Sequence, residues 1–118
     1  MNTKSLEAYL LSKKGASKEF PFGDYVAVFK VMGKMFAVVS EQDNPLRINL
    51  KATPEDCIAF REIYECVIPG YHMSKKHWNT IILDGTMEDD NLKLMIDDSY
   101  ELIVSKLTKK QREELLTL

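Results

Sequence analysis

The stretch PGYHMSKKHWNTIILDG, residues 69–85, holds the features from which the rest of the chain is interpreted. Its second half, residues 78–83, is rich in β-branched and aromatic side chains and ends at Asp84-Gly85, which predicts a strand that leads into a turn. Its first half opens with the turn dipeptide Pro69-Gly70 and predicts a loop. Because a rigid strand would hold this loop in place, we expect binding groups to lie on it.

The loop, residues 70–77, is locally basic although the whole chain is acidic, and we call it the basic loop. It contains His72, Lys75, Lys76 and His77, and no acid follows before Asp84. The 118-residue chain has 16 lysines and arginines against 18 acids, a formal net charge of −2. This balance excludes a strongly basic domain, so any binding to nucleic acid would depend on a local basic surface.

Length and composition predict a single domain that spans residues 1–118. The chain is 45% hydrophobic and 29% charged, as an ordinary globular domain is, and its length suffices to bury a core of its own. Two cysteines are too few for a disulfide framework and favour reduced thiols. Without a signal-peptide pattern or a membrane-length apolar run, we expect a cytoplasmic protein with no membrane partner.

Four further strands are predicted from β-rich segments next to glycine or proline turns. Gly33-Lys34 predicts a type II′ hairpin turn, because glycine at the first turn position suits that type. The segment after Asn44-Pro45 alternates apolar and polar residues, as a half-buried strand does. The segment that contains Pro21 and Gly23 predicts a short edge strand or an extended entry. The four further strands are predicted over residues 19–23, 25–32, 35–40 and 46–51.

Four helices are predicted from apolar periodicity and capping signals. Thr53 followed by Pro54 is typical of a helix start, and Thr86 and Thr108 are predicted to cap the last two helices. The apolar side of the last helix is predicted to be Leu115, Leu116 and Leu118. The helices are predicted over residues 3–13, 53–64, 86–107 and 108–118. Tight turns between strands imply an antiparallel sheet with the helices on one face, the α+β class.

A series of short motifs spans nearly the whole chain. They are PFG at 21–23, VFKV at 28–31, GKMFA at 33–37, NLK at 49–51, PE at 54–55, PGYHM at 69–73, KHWNT at 76–80, LDG at 83–85 and SY at 99–100. In this series the chain resembles the MmcQ/YjbR family of small bacterial proteins. The resemblance implies a fold like that of the bacterial frataxin homologues (CyaY) and DNA binding through a double wing of hairpins. One departure is Met32, where many relatives have a second glycine.

The first functional hypothesis is DNA binding through the basic loop and the hairpin at Gly33-Lys34. Lysines would contact phosphates as point charges, which gives salt-dependent affinity with little dependence on DNA sequence. The expected contacts are Lys30, Lys34, Lys51, His72, Lys75, Lys76 and His77. The alternative reading of these lysines is that they solvate strand ends and turns.

The second hypothesis is a protein-interaction or small-ligand module with no role in nucleic-acid binding. Its site would be a groove between the sheet and the helices, with Tyr71, His72, Met73 and Trp78 as walls. A lone tryptophan that enters an apolar strand is also typical of a core residue, which would place Trp78 in the interior rather than against a base.

Metal, cofactor and enzyme functions have no supporting pattern. The spacing of Cys66, His72 and His77 fits no zinc motif. The acids at residues 88–90 complement the dipole of the helix that they begin, so iron is not needed to explain them. No spacing pairs a nucleophile with a base. We therefore expect no enzyme, no metal and no cofactor.

Overall fold

The computed structural model describes residues 1–118 and contains one antiparallel sheet of six strands together with four helices. The strands are β1 (Ala16–Glu19), β2 (Val26–Val31), β3 (Lys34–Ser40), β4 (Arg47–Lys51), β5 (Val67–Pro69) and β6 (Trp78–Ile82). The helices are α1 (Thr3–Leu11), α2 (Pro54–Ile63), α3 (Asp89–Ser105) and α4 (Lys109–Leu116). The strand order is β1-β2-β3-β4-β6-β5. The predicted α+β class and antiparallel sheet are confirmed.

The core lies between one face of the sheet and the helices. Alternate strand residues such as Phe29, Ile48 and Ile81 are at most 1% exposed, and they pack in one cluster with Leu6 of α1 and Ile96 of α3. Because successive side chains of a strand point to opposite faces, the residues between them form a second face that carries no helix. None of the four helices combines the length and the apolar composition of a membrane span.

The hairpin between β2 and β3 turns one residue earlier than predicted. Val31 pairs with Lys34, and both residues of the turn, Met32 and Gly33, have positive φ angles of 49° and 80°. Two positive φ angles define a type I′ turn, so the predicted type II′ turn at Gly33-Lys34 is wrong. The prediction assigned a positive φ angle to glycine alone, whereas methionine adopts one here.

One short strand was predicted at the wrong residues, and another was not predicted. β1 ends at Glu19, where the predicted strand over residues 19–23 would begin, and residues 20–25 form the β1–β2 loop instead. β5 was not predicted because three residues are too few to show a periodicity. It pairs with β6 and forms one edge of the sheet.

The predicted helix starts are confirmed for α2 and α4 but wrong for α3. The side chain of Thr53 accepts a hydrogen bond from the Asp56 N–H, and Thr108 forms a capping box with Gln111. α3 begins after Glu88, which makes no side-chain cap, whereas the Thr86 hydroxyl donates to Asp84 at 2.6 Å. The carboxylate of Asp84 holds Thr86 in the preceding turn, so Thr86 cannot cap the helix.

The apolar side of α4 is narrower than predicted. Leu115 is buried, but Leu116 is 75% exposed and Leu118 is 71% exposed. Leu115 is the one residue of α4 that belongs to the core cluster.

Candidate functional site

A groove of about 640 Å³ lies on the helix-free face of the sheet. Its floor consists of side chains from four strands that point away from the helices. They are Val26, Met35, Val38, Ser40, Arg47, Asn49 and Thr80. The volume falls within the range of about 300–1,000 Å³ that small-molecule sites occupy.

Two loops form the walls of the groove. The β1–β2 loop supplies Phe22 and Tyr25, and the basic loop supplies Tyr71, His72 and Met73. The side chains of Phe22, Tyr25 and Tyr71 are 70%, 63% and 61% exposed. Exposed aromatic rings around a concave surface are typical of a binding site, because they offer contact area that the core does not use.

Hydrogen bonds fix the second wall to the floor. The Thr80 hydroxyl donates to Asn49 Oδ1 and accepts a bond from the Tyr71 N–H at 2.9 Å. The Asn49 amide donates in turn to the Tyr71 carbonyl at 3.2 Å. Since Thr80 is only 1% exposed, the two bonds of its hydroxyl are largely shielded from water, and together the three bonds hold the wall in place without a ligand.

Gly70 allows the basic loop to cross β6 at close range. Its N–H donates to the Trp78 carbonyl at 2.9 Å, and an added Cβ would lie 2.8 Å from that oxygen and 2.9 Å from Trp78 Cβ. Any larger residue would push the wall away from the strand. Trp78 is itself 8% exposed, so its predicted burial is confirmed, although it lies outside the main core cluster.

His72 has a strained backbone at the groove. Its φ angle is 58°, and its ring lies against that of Tyr71 in a tilted arrangement, with 4.0 Å between ring centroids and 51° between ring planes. A non-glycine residue in the left-handed region persists only where its surroundings enforce it, and such residues cluster at functional sites.

The groove does not lie where the second hypothesis placed it. Tyr71, His72 and Met73 do line a groove, but on the sheet face opposite the helices, and Trp78 is not part of its lining. The space between sheet and helices is a cavity of only about 90 Å³. The helix side of β6 is filled by Asn79 and Ile81, which are 2% and 1% exposed.

Lys51, one of the predicted phosphate contacts, lines that small cavity. The carboxylates of Asp56 and Asp98 line it as well. Burial raises the pKa of the Asp98 carboxyl, and the nearby charge of Asp56 raises it further. Two acids next to Lys51 weaken the positive potential that a phosphate contact needs.

The other predicted phosphate contacts fall into two groups. Lys30 forms an ion pair with Glu19 at 2.8 Å, and the Lys75 ammonium donates to the Gly70 carbonyl at 3.1 Å. Lys34, Lys76 and His77 are exposed, and their side chains form no hydrogen bond or ion pair. These three side chains are therefore free to contact an anion.

The register brings Lys34, Lys51 and the basic loop to the same end of the sheet. β3 starts at Lys34, and Ala37 pairs with Leu50 next to the end of β4. Lys51 pairs with Trp78, the residue after the basic loop. The sequence-predicted cations therefore lie at one end of the sheet, except His72, which faces the groove.

Arg61 is a positioning residue that sequence reasoning missed. Its Nε donates to Asn79 Oδ1 at 2.6 Å, and its Nη2 donates to the Lys75 carbonyl. It therefore ties the basic loop to α2. No local signal distinguishes such an arginine from one on a solvated helix face. Sequence reasoning also missed Phe22, Tyr25 and Arg47, because only the strand order brings these residues close to the basic loop.

Comparison with known proteins identifies relatives along the whole chain. A family model described as YjbR matches residues 11–102. The chain is 31% identical to the uncharacterized protein YjbR of Escherichia coli strain K12 over 118 residues, which cover 100% of both chains. It is 36% identical to the uncharacterized protein YbdF of Escherichia coli O157:H7, over 81% of this chain and 79% of that protein.

Solved structures share the fold. The crystal structure of Deinococcus radiodurans protein DR2400, with the domain DUF419, superposes with a TM-score of 0.90 at 36% identity, over 97% of this chain and 87% of that one. A crystal structure from Pseudomonas syringae superposes with a TM-score of 0.75 at 27% identity, over 86% of this chain and 98% of that one.

Proposed function

The chain belongs to the YjbR family, and from this premise we propose that it is a small binding module whose ligand occupies the groove on the helix-free face. The observation that carries the proposal is a concavity of about 640 Å³ bordered by three aromatic side chains, each more than 60% exposed. The proposal assigns binding to the groove and no catalytic step.

The rigidity of the second wall supports this proposal. Asn49 and Thr80 hold the backbone of Tyr71 by two hydrogen bonds and are bonded to each other by a third, and Gly70 brings the loop against β6. A site whose wall is already ordered loses little conformational entropy when a ligand binds, which favours affinity for a small molecule.

The test is a ligand-observed NMR screen of small aromatic and aliphatic fragments against two paired double variants. Phe22→Ala with Tyr71→Ala removes two exposed groove rings, and we expect it to abolish most of the hits. Leu116→Ala with Leu118→Ala removes two leucines of similar exposure on and after α4, and we expect it to keep them. A screen without hits, or hits that survive in the groove variant, would refute the proposal.

The second candidate function is DNA binding at the end of the sheet that carries the basic loop. The observation in its favour is that Lys34, Lys76 and His77 are exposed there and have no intramolecular partner. Against it, Lys30 is paired with Glu19, and two carboxylates line the small cavity with Lys51. We rank this candidate below the groove because neighbouring carboxylates oppose the positive charge of two of its predicted contacts, Lys30 and Lys51.

Fluorescence anisotropy of labelled duplex DNA at two salt concentrations tests this candidate. Lys34→Gln with Lys76→Gln should weaken binding to all sequences alike and reduce the slope of log affinity against log salt by about 0.9 for each lysine. The matched control, Lys109→Gln with Lys110→Gln on α4, makes the same charge change at lysines that are not among the predicted contacts. Equal losses in both variants would show that any binding is nonspecific attraction by net charge.

Two further parts of the proposal concern location and fold. Both cysteines are free thiols, which supports a role in the reducing cytoplasm. We also propose that the fold is frataxin-like, as the family resemblance implies, since it combines an antiparallel sheet with helices on one face. Superposition on a bacterial frataxin structure tests the classification, and a different strand order there would contradict it.

A further inference from the structure

We infer that the groove takes a flat apolar molecule that carries an anionic group, with Arg47 as the anchor of that group. The inference rests on the proposed function and specifies the chemical class of its ligand. It depends on the distribution of polar groups along the groove, on the free guanidinium of Arg47 and on the rings of the walls.

On the floor of the groove, the polar side chains that form no hydrogen bond within the protein, Ser40 and Arg47, lie at one end, whereas Asn49 and Thr80 further along are bonded to each other. Along β3, Met35 and Val38 supply apolar floor, whereas Ser40 lies toward the turn that carries Gln42 and Asp43. Ser40 is paired directly with Arg47 of β4. Directly opposed residues of antiparallel strands have neighbouring side chains, so a hydroxyl and a guanidinium meet at the polar end. This division suits an amphipathic ligand.

The guanidinium of Arg47 is available to such a ligand. Its Nε lies 4.0 Å from Asp43 Oδ2, the outer limit of an ion pair, and no protein group accepts a hydrogen bond from it. Its side chain is 41% exposed and that of Asp43 is 50% exposed. A guanidinium offers five N–H donors in a planar fork, which a carboxylate, sulfonate or phosphate accepts through paired hydrogen bonds.

The strongest donor at this end is the guanidinium of Arg47. Ser40 and the amide of Gln42 can each donate or accept a hydrogen bond, and Asp43 is the single carboxylate. An anion can accept from the guanidinium, which forms no hydrogen bond within the protein, and from the hydroxyl and amide groups beside it. The rings of Phe22, Tyr25 and Tyr71 then contact the body of the ligand by stacking or edge contacts.

Two fluorescent probes that share one aromatic skeleton test the anionic group and the apolar body of the ligand separately. One is 1-anilinonaphthalene-8-sulfonate, which is anionic, and the other is N-phenyl-1-naphthylamine, which lacks the sulfonate. We expect Arg47→Gln to weaken binding of the sulfonate about tenfold, as loss of a charged hydrogen bond does, and to leave the neutral probe unchanged. Arg112→Gln on α4 is the matched control and should change neither. Near-UV circular dichroism verifies that each variant is folded.

The outcomes distinguish this inference from the proposed function. If neither probe binds the wild-type protein, or if Phe22→Ala with Tyr71→Ala leaves the affinity of both unchanged, the groove itself fails as a ligand site. If both probes bind equally and Arg47→Gln affects neither, the groove stands and the anionic class is overturned. Tighter binding of the cationic probe 1-naphthylmethylammonium would also overturn it, because that result would assign the polar end to Asp43.

Discussion

Gly70 is the residue on which the position of the groove wall depends most. We predict that Gly70→Ala lowers the free energy of unfolding by about 1–3 kcal/mol, because a Cβ that meets the Trp78 carbonyl at 2.8 Å forces a backbone shift. The shift should also weaken binding of a groove probe several-fold. Urea unfolding and a probe titration measure the two effects.

The control for Gly70 is Gly85, which has a φ angle of 89° and where an added Cβ would have no atom within 4 Å. Gly85→Ala should cost about 1–2 kcal/mol through backbone strain alone and leave probe binding unchanged. If both variants weaken the probe equally, loss of stability rather than displacement of the wall explains the Gly70 effect.

Thr80 gives a second prediction at this scale. Thr80→Val keeps the shape of the side chain but leaves the Tyr71 N–H and Asn49 Oδ1 without their buried partner, at a cost of about 1–3 kcal/mol. Probe affinity should fall because the wall loses its attachment. Thr80→Ser retains the hydroxyl and should retain the affinity. A loss in the serine variant equal to that in the valine variant would contradict this role of the hydroxyl.

The sequence predicted some residues of the candidate site and not others. Tyr71, His72 and Met73 were found because they lie together in one loop with an unusual composition. Phe22 and Arg47 are far from that loop in the sequence, and only the pairing of β4 with β6 and of β2 with β3 makes them neighbours. The pairing of Lys30 with Glu19 depends on the β1–β2 register in the same way.

At the scale of elements, α3 has the weakest start among the four helices. Glu88 occupies its N-cap position without a side-chain hydrogen bond, whereas α1, α2 and α4 all have one. We predict that Glu88→Asp raises the free energy of unfolding by about 0.5–1 kcal/mol, because the shorter carboxylate can accept a hydrogen bond from an N–H group of the first turn at unchanged charge. Glu88→Ala, measured in the same urea titrations, should give no gain. A lower stability for the aspartate variant would show that Glu88 has another role.

Elements were predictable from sequence where their signal is local. The caps of α2 and α4 depend on residues within one turn, and both were found. The start of α3 was missed because the Asp84 carboxylate competes for Thr86. The β2–β3 turn was misassigned because a methionine with a positive φ angle has no sequence signature.

At the scale of the whole molecule, the two faces of the sheet have different roles. One face packs against the helices and forms the core, and the other supplies a floor between two loops. The fold class followed from the sequence because apolar alternation and tight turns already imply it. The groove did not, because its walls come from the β1–β2 and β5–β6 loops, which meet only once the strand order is fixed.

The most direct test of the groove as the binding site is a titration of the protein with 1-anilinonaphthalene-8-sulfonate, followed by ¹³C methyl NMR. We predict that the methyl signals of Val26, Met35, Val38 and Met73, which line the groove, shift together with a single dissociation constant. Signals of the core residues Ile48 and Leu92 should stay in place. Shifts confined to Leu116 and Leu118, or no shift at the groove methyls, would contradict the account.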